Sequence, residues 1–152
     1  MIQIRRAVAG DIESLAHLRI EFLCEMGELS DDRRMALLEA TRDYLTRSLP
    51  ADQFVAFLAE SKGRIIATSA LILQERPPSE RNLCGIEGYV LNMYTLPAYR
   101  RQGIATALLA ELITFARSAG AGRLLLYARA AGQAIYRNAG FTPRTGEMHL
   151  RL

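Results

Sequence analysis

"YTLPAYRRQGIATALLAELI", from Tyr94 to Ile113, joins two kinds of sequence. Up to Pro97 the chain is rich in Tyr, Val, Leu and Thr, as strands are. From Gly103 the apolar period becomes helical. Ile104, Ala105, Leu108, Leu109, Leu112, Ile113 and Ala116 fall on one wide face, with Thr106, Glu111, Thr114 and Arg117 away from it. Arg100, Arg101, Gln102 and Gly103 stand at the junction. A helix beginning there leaves four backbone N–H groups without partners, and their partial positive charge attracts anions. Gly103 lets a ligand approach the backbone with no Cβ in the way. Ala105 is nearly as small, and Arg100 and Arg101 add full charge. Amides for geometry and arginines for charge suit a pyrophosphate. The simpler alternative is a pair of solvated arginines in an ordinary loop. The stretch has no Lys and a single Gly, so it is neither G-x-x-x-x-G-K-S/T nor G-x-G-x-x-G.

Outward from this junction the elements fall into order. "IEGYVLNMYTL", Ile86 to Leu96, is the strand that feeds it. The segment before it, Arg76 to Gly85, is a loop with two prolines. Earlier still, the strands "QFVAFLAES" and "RIIATSALILQER" flank Lys62-Gly63, which predicts a hairpin. Two helices precede them. The first opens after Gly10 with Asp11 as N-cap and buries Leu15, Leu18, Phe22, Leu23 and Met26. The second starts at Ser30, acids first, and stops before Pro50. "MIQIRRA" is a short first strand. Beyond the long helix, "SAGAG" is a break, "RLLLYA" a buried strand, and "AGQAIYRNAG" a short helix closed by Gly140. "FTPRTGEMHLRL" is a final strand, or two with a turn at Thr145-Gly146. The order β-α-α-β-β-β-α-β-α-β implies an α+β fold: a mixed sheet with helices upon it.

Composition narrows the class. The 152 residues fit one domain, half of them are hydrophobic, and 23% are charged. The net charge of +3 is spread along the chain with no polybasic run, and no aromatic-basic sheet motif or helix-turn-helix accompanies it. A nucleic-acid module is therefore unsupported. Cys24 and Cys84 belong to no CxxC or Cys/His pattern, so no metal site is expected and both read as reduced thiols. His17 and His149 have no metal-ligand spacing either. No signal peptide or membrane-length apolar run is present, which points to a cytoplasmic protein.

"PAYRRQGIA", Pro97 to Ala105, resembles the acetyl-CoA signature of the GCN5-related N-acetyltransferase (GNAT) superfamily, R/Q-x-x-G-x-G/A within P-x-Y-R-x-x-G-I-G/A. The core is short, and the longer setting between strand and apolar helix is the specific part. "AIYRNAGF", Ala134 to Phe141, is similar to the family's A-x-x-Y-x-x-x-G-F segment with one residue fewer between Ala and Tyr. The matches span Met93 to Phe141, and the element order of the whole chain is similar too. One position departs: where the family places an Asn before that Tyr, this chain has Ala130, with Arg129 and Gln133 close by.

The resemblance implies one acetyltransferase domain over residues 1–152, with a mostly antiparallel central sheet flanked by helices. It implies direct transfer of acetyl from acetyl-CoA to a primary amine, and a small-molecule acceptor is preferred because no long acidic groove is evident. The pyrophosphate would lie on Arg100, Arg101, Gln102, Gly103, Ile104, Ala105 and Thr106. The pantetheine would run along Met93, Tyr94 and Thr95 as an added strand does, with a backbone N–H near Met93 or Tyr94 holding the oxyanion. Tyr136 matches the family's general acid. A phenol near pKa ~10 can protonate a thiolate whose thiol has pKa ~8.5, although a tyrosine here also serves as a packing aromatic. Glu87 is the first candidate for the base, because it starts the cofactor strand and shares a side with Tyr89, Leu91 and Met93 at period two; an exposed strand-end carboxylate is the alternative. Asn92 orients water or substrate, or bonds the backbone at a bulge. Glu25 and Glu28 either line the acceptor site or are solvated. A catalytically silent acyl-CoA sensor is the alternative function. The final strand offers an edge for pairing with a second copy, so a homodimer is possible.

Overall fold

The computed structural model describes all of residues 1–152. Five strands form one sheet in the order β1-β2-β3-β4-β5. They are β1 (Ile2–Arg6), β2 (Phe54–Ser61), β3 (Arg64–Glu75), β4 (Ile86–Thr95) and β5 (Arg123–Leu126). The first four are antiparallel neighbours, and β5 runs parallel to β4. The β2–β3 hairpin turns at Lys62-Gly63 as its sequence predicts, with φ of +50° and +74°, the left-handed pair that a two-residue turn requires.

Helices α1 (Ile12–Glu25) and α2 (Arg34–Ser48) cover one face of the sheet. There Leu15, Ala16, Ile20, Leu38 and Leu45 pack on Phe54, Ala56, Leu58 and Ala70. Helix α3 (Ile104–Ser118) covers the other, where Leu108, Leu109, Leu112 and Ala116 meet Val55, Phe57, Ala59, Leu71 and Val90. The expected face of α3 is thus the buried face, except that Ala105 and Ile113 are half-buried. On α1 the same holds for Phe22, Leu23 and Met26. A short helix, α4 (Gln133–Asn138), follows β5 and is closed at Gly140, whose φ is +99°.

Three expectations need correction. The "RLLLYA" strand is an edge strand, not a buried one: Leu124, Leu125 and Leu126 are half-buried, and Arg123 and Tyr127 are exposed. Asp11 does precede α1, but its carboxylate caps no helical amide. It accepts from both terminal nitrogens of Arg5 at 2.8 Å and from the Val8 N–H at 2.8 Å. An ion pair with a bidentate fork outcompetes a cap bond to a neutral amide. The final strand is absent: residues 141–152 pair with nothing. A strand exists only with a ladder partner, and Pro143 lacks a donor. Met148, Leu150 and Leu152 alternate as a strand would, yet all three are exposed.

Strand β4 carries the feature that shapes the site. Its register against β3 slips between Ala70↔Leu91 and Thr68↔Tyr94, so Asn92 and Met93 together oppose Ser69. Asn92 takes φ +52° at this bulge. On its other edge β4 pairs with β5 only from Glu87 to Val90. Beyond Val90 the two parallel strands part, and Leu91 to Thr95 keep an unpaired edge.

Two consequences are measurable. Asp11→Asn should lower stability at neutral pH by about 1–3 kcal/mol, the scale for buried hydrogen bonds to a charged group. The Arg5 guanidinium holds the Asp11 carboxyl below its ordinary pKa. Its stabilisation is therefore complete above the usual aspartate value of ~4 and is lost as pH falls through the lowered value. Urea unfolding of both proteins across that range should show their difference closing on the acid side. Asn92→Val should cost about 1–2 kcal/mol more than Asn92→Gly in the same assay, because only the β-branched residue resists a left-handed backbone. Equal losses would place the cost in the side chain's bonds instead.

Candidate active site

The unpaired edge of β4 opens into a cavity of about 770 Å³. Its walls come from α1, the strand run Tyr89 to Thr95, the loop into α3, and the segment from Tyr127 to Tyr136. This explains the half-buried apolar residues at the end of α1: Phe22, Leu23 and Met26 line the cavity, and Phe22 packs on the core beneath it as well.

The loop before α3 presents unpaired donors to the cavity. Pro97–Tyr99 make a single turn, and the chain then passes through Arg101 at φ +64° and Gly103 at φ +78°. A Cβ at Gly103 would meet nothing within 4 Å, so the glycine serves the backbone conformation and leaves its surface open. The first amide of this segment to find a helical acceptor is that of Ala107, on the Gly103 carbonyl at 3.0 Å. The amides ahead of it lie at the positive end of a 15-residue helix. Arg100, Arg101, Gly103, Ile104, Ala105 and Thr106 all line the cavity, whereas exposed Gln102 does not.

The two arginines have different jobs. Arg100 is held in place: its Nε donates to the Thr95 carbonyl at 2.9 Å and its Nη2 to Glu25 at 2.8 Å, over the Tyr94 ring. Tyr94 donates its own hydroxyl to Glu25 at 3.0 Å. Burial, and then this carboxylate, push the Tyr94 phenol up to about 12, so it stays a donor. Arg100 in turn holds Glu25 below the ordinary glutamate range. Arg101 makes no ion pair, and its charge is free for a ligand.

Tyr136 stands across the cavity on α4. Its ring packs edge-on to Phe141 at 6.0 Å and close to Gly132, where any Cβ would sit 3.0 Å from a ring carbon. Packing and access coexist here: the ring is held, and Tyr136 still lines the cavity. Burial raises its pKa, so the phenol is protonated at neutral pH.

Asn92 and the strand residues Met93, Tyr94 and Thr95 also line the cavity. Asn92 is at a bulge, as one reading has it, but its side chain accepts from the Arg19 guanidinium and not from backbone. Glu87 is not in the cavity. It is buried at the start of β4 between Arg123, a close partner, and Arg76 at 3.6 Å. A carboxylate held by two arginines is a structural anchor, and the period-two alternation that aligned it with Met93 breaks at the bulge.

Glu25 and Glu28 do line the cavity, each with an arginine, Arg100 and Arg129 respectively. Arg129 thus reaches the site near Ala130, whereas Gln133 does not. Arg19 and Tyr127 were not singled out from the sequence. Arg19 had a signal: it lies four residues after Leu15 and three before Phe22, on the buried side of α1.

The comparisons with known proteins agree with this geometry. Residues 16–141 match the acetyltransferase (GNAT) family. Among solved structures, a predicted acetyltransferase with acetyl-CoA from Clostridium acetobutylicum is 31% identical, with a TM-score of 0.89 over 99% of this chain and 96% of that one. A GCN5-related N-acetyltransferase from Ralstonia eutropha JMP134 is 26% identical, with a TM-score of 0.89 over 100% and 99%. Glucosamine-6-phosphate N-acetyltransferase from Arabidopsis thaliana, 18% identical, shares the fold with a TM-score of 0.69 over 99% and 98%. No curated protein matches the sequence. A sheet that parts beside a bulged strand, an anion-ready helix start and a family match across most of the chain lead to one conclusion: the chain belongs to the GNAT family of acetyltransferases.

Proposed function

We propose that this protein transfers the acetyl group of acetyl-CoA directly to a primary amine of a small molecule. One observation carries the reading. A single cavity joins unbonded helix-start amides, an unpaired strand edge and a protonated tyrosine. Acetyl-CoA supplies an acetyl group activated as a thioester. Its diphosphate fits the loop from Arg101 to Thr106, where the amides and the unpaired Arg101 offer the several donors a multiply charged group needs. Its arm fits beside Met93 to Thr95, whose free edge supplies backbone donors and acceptors.

Each residue then has a task. An N–H on the free edge near Met93 or Tyr94 stabilises negative charge on the thioester oxygen as the amine attacks. Tyr136 gives its proton to the departing thiolate, and burial keeps that proton on the phenol until it is needed. Every carboxylate in the cavity already faces an arginine, and Glu87 lies elsewhere. We therefore assign removal of the amine's proton to water, before or during attack. Asn92, bound to Arg19, shapes the acceptor end and leaves proton transfer to others.

The absence of an unpaired carboxylate also favours a second reading, an acyl-CoA sensor without turnover. Authentic acetylated product from any amine would remove it.

Calorimetric titration with acetyl-CoA tests the loop. Gly103→Glu, which puts a negative carboxylate among the amides, should weaken binding by about 100-fold or more, since several charge-assisted bonds are lost. Unimpaired binding would show that the loop holds no phosphate. Tyr136→Phe should lower kcat by about 100-fold or more, the scale of general acid catalysis, while acetyl-CoA affinity stays nearly the same. Equal kcat across pH for the two proteins would remove Tyr136 from the mechanism.

A further inference from the structure

The charges of the cavity do not balance. Four arginines line it, Arg19, Arg100, Arg101 and Arg129, against two glutamates. Arg100 is matched by Glu25 and Arg129 by Glu28. Two guanidiniums remain. They come from opposite sides of the sheet: Arg101 precedes α3, and Arg19 projects from α1. Arg101 lies in the loop assigned to the diphosphate. Nothing so far accounts for Arg19.

Arg19 is half-buried, and the loss of hydration lowers its pKa from the ordinary arginine value. Its side-chain hydrogen bond is to the neutral Asn92 Oδ1, and it has no carboxylate partner. A guanidinium has five N–H donors, so most of its capacity is unused. A desolvated cation without a counter-charge is costly to a fold. Its one neutral partner stands on a left-handed backbone at φ +52°, which Asn tolerates but a regular strand does not use. Neither feature helps the core, and both are directed to the cavity wall. Phe22, Leu23 and Met26, on the same helix, supply an apolar surface beside them.

We propose that Arg19 is the specificity determinant for an acceptor that carries a carboxylate as well as its amine, with an apolar body resting on Phe22, Leu23 and Met26. A planar fork pairs bidentately with a carboxylate. A phosphate dianion would call for more than the one unmatched cation on this side of the sheet. Asn92 fixes the guanidinium so that the pairing needs little reordering. The inference rests on the acetyltransferase reading above and names the acceptor class for it.

The test uses L-leucine, L-methionine and L-phenylalanine against their C-terminal amides. Acetylation is read as thiol release, and acceptor binding as calorimetric titration in the presence of CoA. The amide series keeps the amine and the apolar body and removes only the negative charge. Its amines also deprotonate more easily, so intrinsic reactivity runs against the expected result. Wild-type kcat/KM should favour at least one amino acid over its amide by at least about tenfold, as one charged pair predicts. Arg19→Gln should bring that ratio to about one, chiefly through KM, and Arg19→Lys should restore part of it. Circular dichroism and acetyl-CoA titration of each variant establish that it is folded.

Several results would overturn the assignment: equal use of amides and amino acids by the wild type, equal losses for both in Arg19→Gln, or neither binding nor turnover of all three amino acids. If acetyl-CoA does not bind the wild type, the transferase reading falls. Leucine binding that depends on Arg19 would still support the carboxylate site in that case.

Discussion

The parting of β4 from β5 is the constraint on which the rest depends. Two parallel strands that pair for four residues and then separate leave one edge without partners. Unsatisfied backbone groups next to apolar surface are costly unless water or a ligand meets them. The bulge at Asn92 follows just past the last β5 pair, where two residues of β4 share one partner on β3 and the strand bends locally. The cavity is thus a product of sheet geometry more than of side-chain size. The helix that starts at Ile104 and the tyrosine on α4 are brought to that opening by the short connections on either side of it.

Much of this was legible in the sequence, for a specific reason. The loop Arg100 to Ala105 follows local rules: a strand composition ends at Pro97, a glycine takes a left-handed φ, and a 3.6 period begins. Each rule acts within a few residues, so one chain suffices to read it. The hairpin at Lys62-Gly63 and the buried face of α3 are legible on the same ground. The resemblance of "PAYRRQGIA" and "AIYRNAGF" to family motifs then joined two segments that periodicity alone cannot bring together.

What escaped depends on contacts distant in sequence. Glu87 was aligned with Met93 by counting in twos, and a bulge defeats such counting. Its pairing with Arg123, thirty-six residues away, has no local signature. The same is true of Arg19 and Asn92, separated by 73 residues. The alternation in Met148, Leu150 and Leu152 is a local rule that had no long-range partner to satisfy it, so the expected strand did not form. Periodicity proposes a strand, and only a neighbouring edge can grant it.

Arginine pairing gives the cavity its electrostatic order. Glu25 gathers both Arg100 and the Tyr94 hydroxyl, which ties α1, β4 and the loop before α3 together at one carboxylate. Glu28 and Arg129 make a second tie, from the end of α1 to the segment after β5. Both ties cross the opening, where no strand pairing is available to hold its walls. The exposed sides of such pairs add little stability by themselves. Their value lies in position: they fix the separation of the walls while consuming the negative charge that would repel a phosphorylated ligand. A cavity that has neutralised its own carboxylates keeps a net positive field, and that field centres on the two guanidiniums with no carboxylate partner, Arg19 and Arg101.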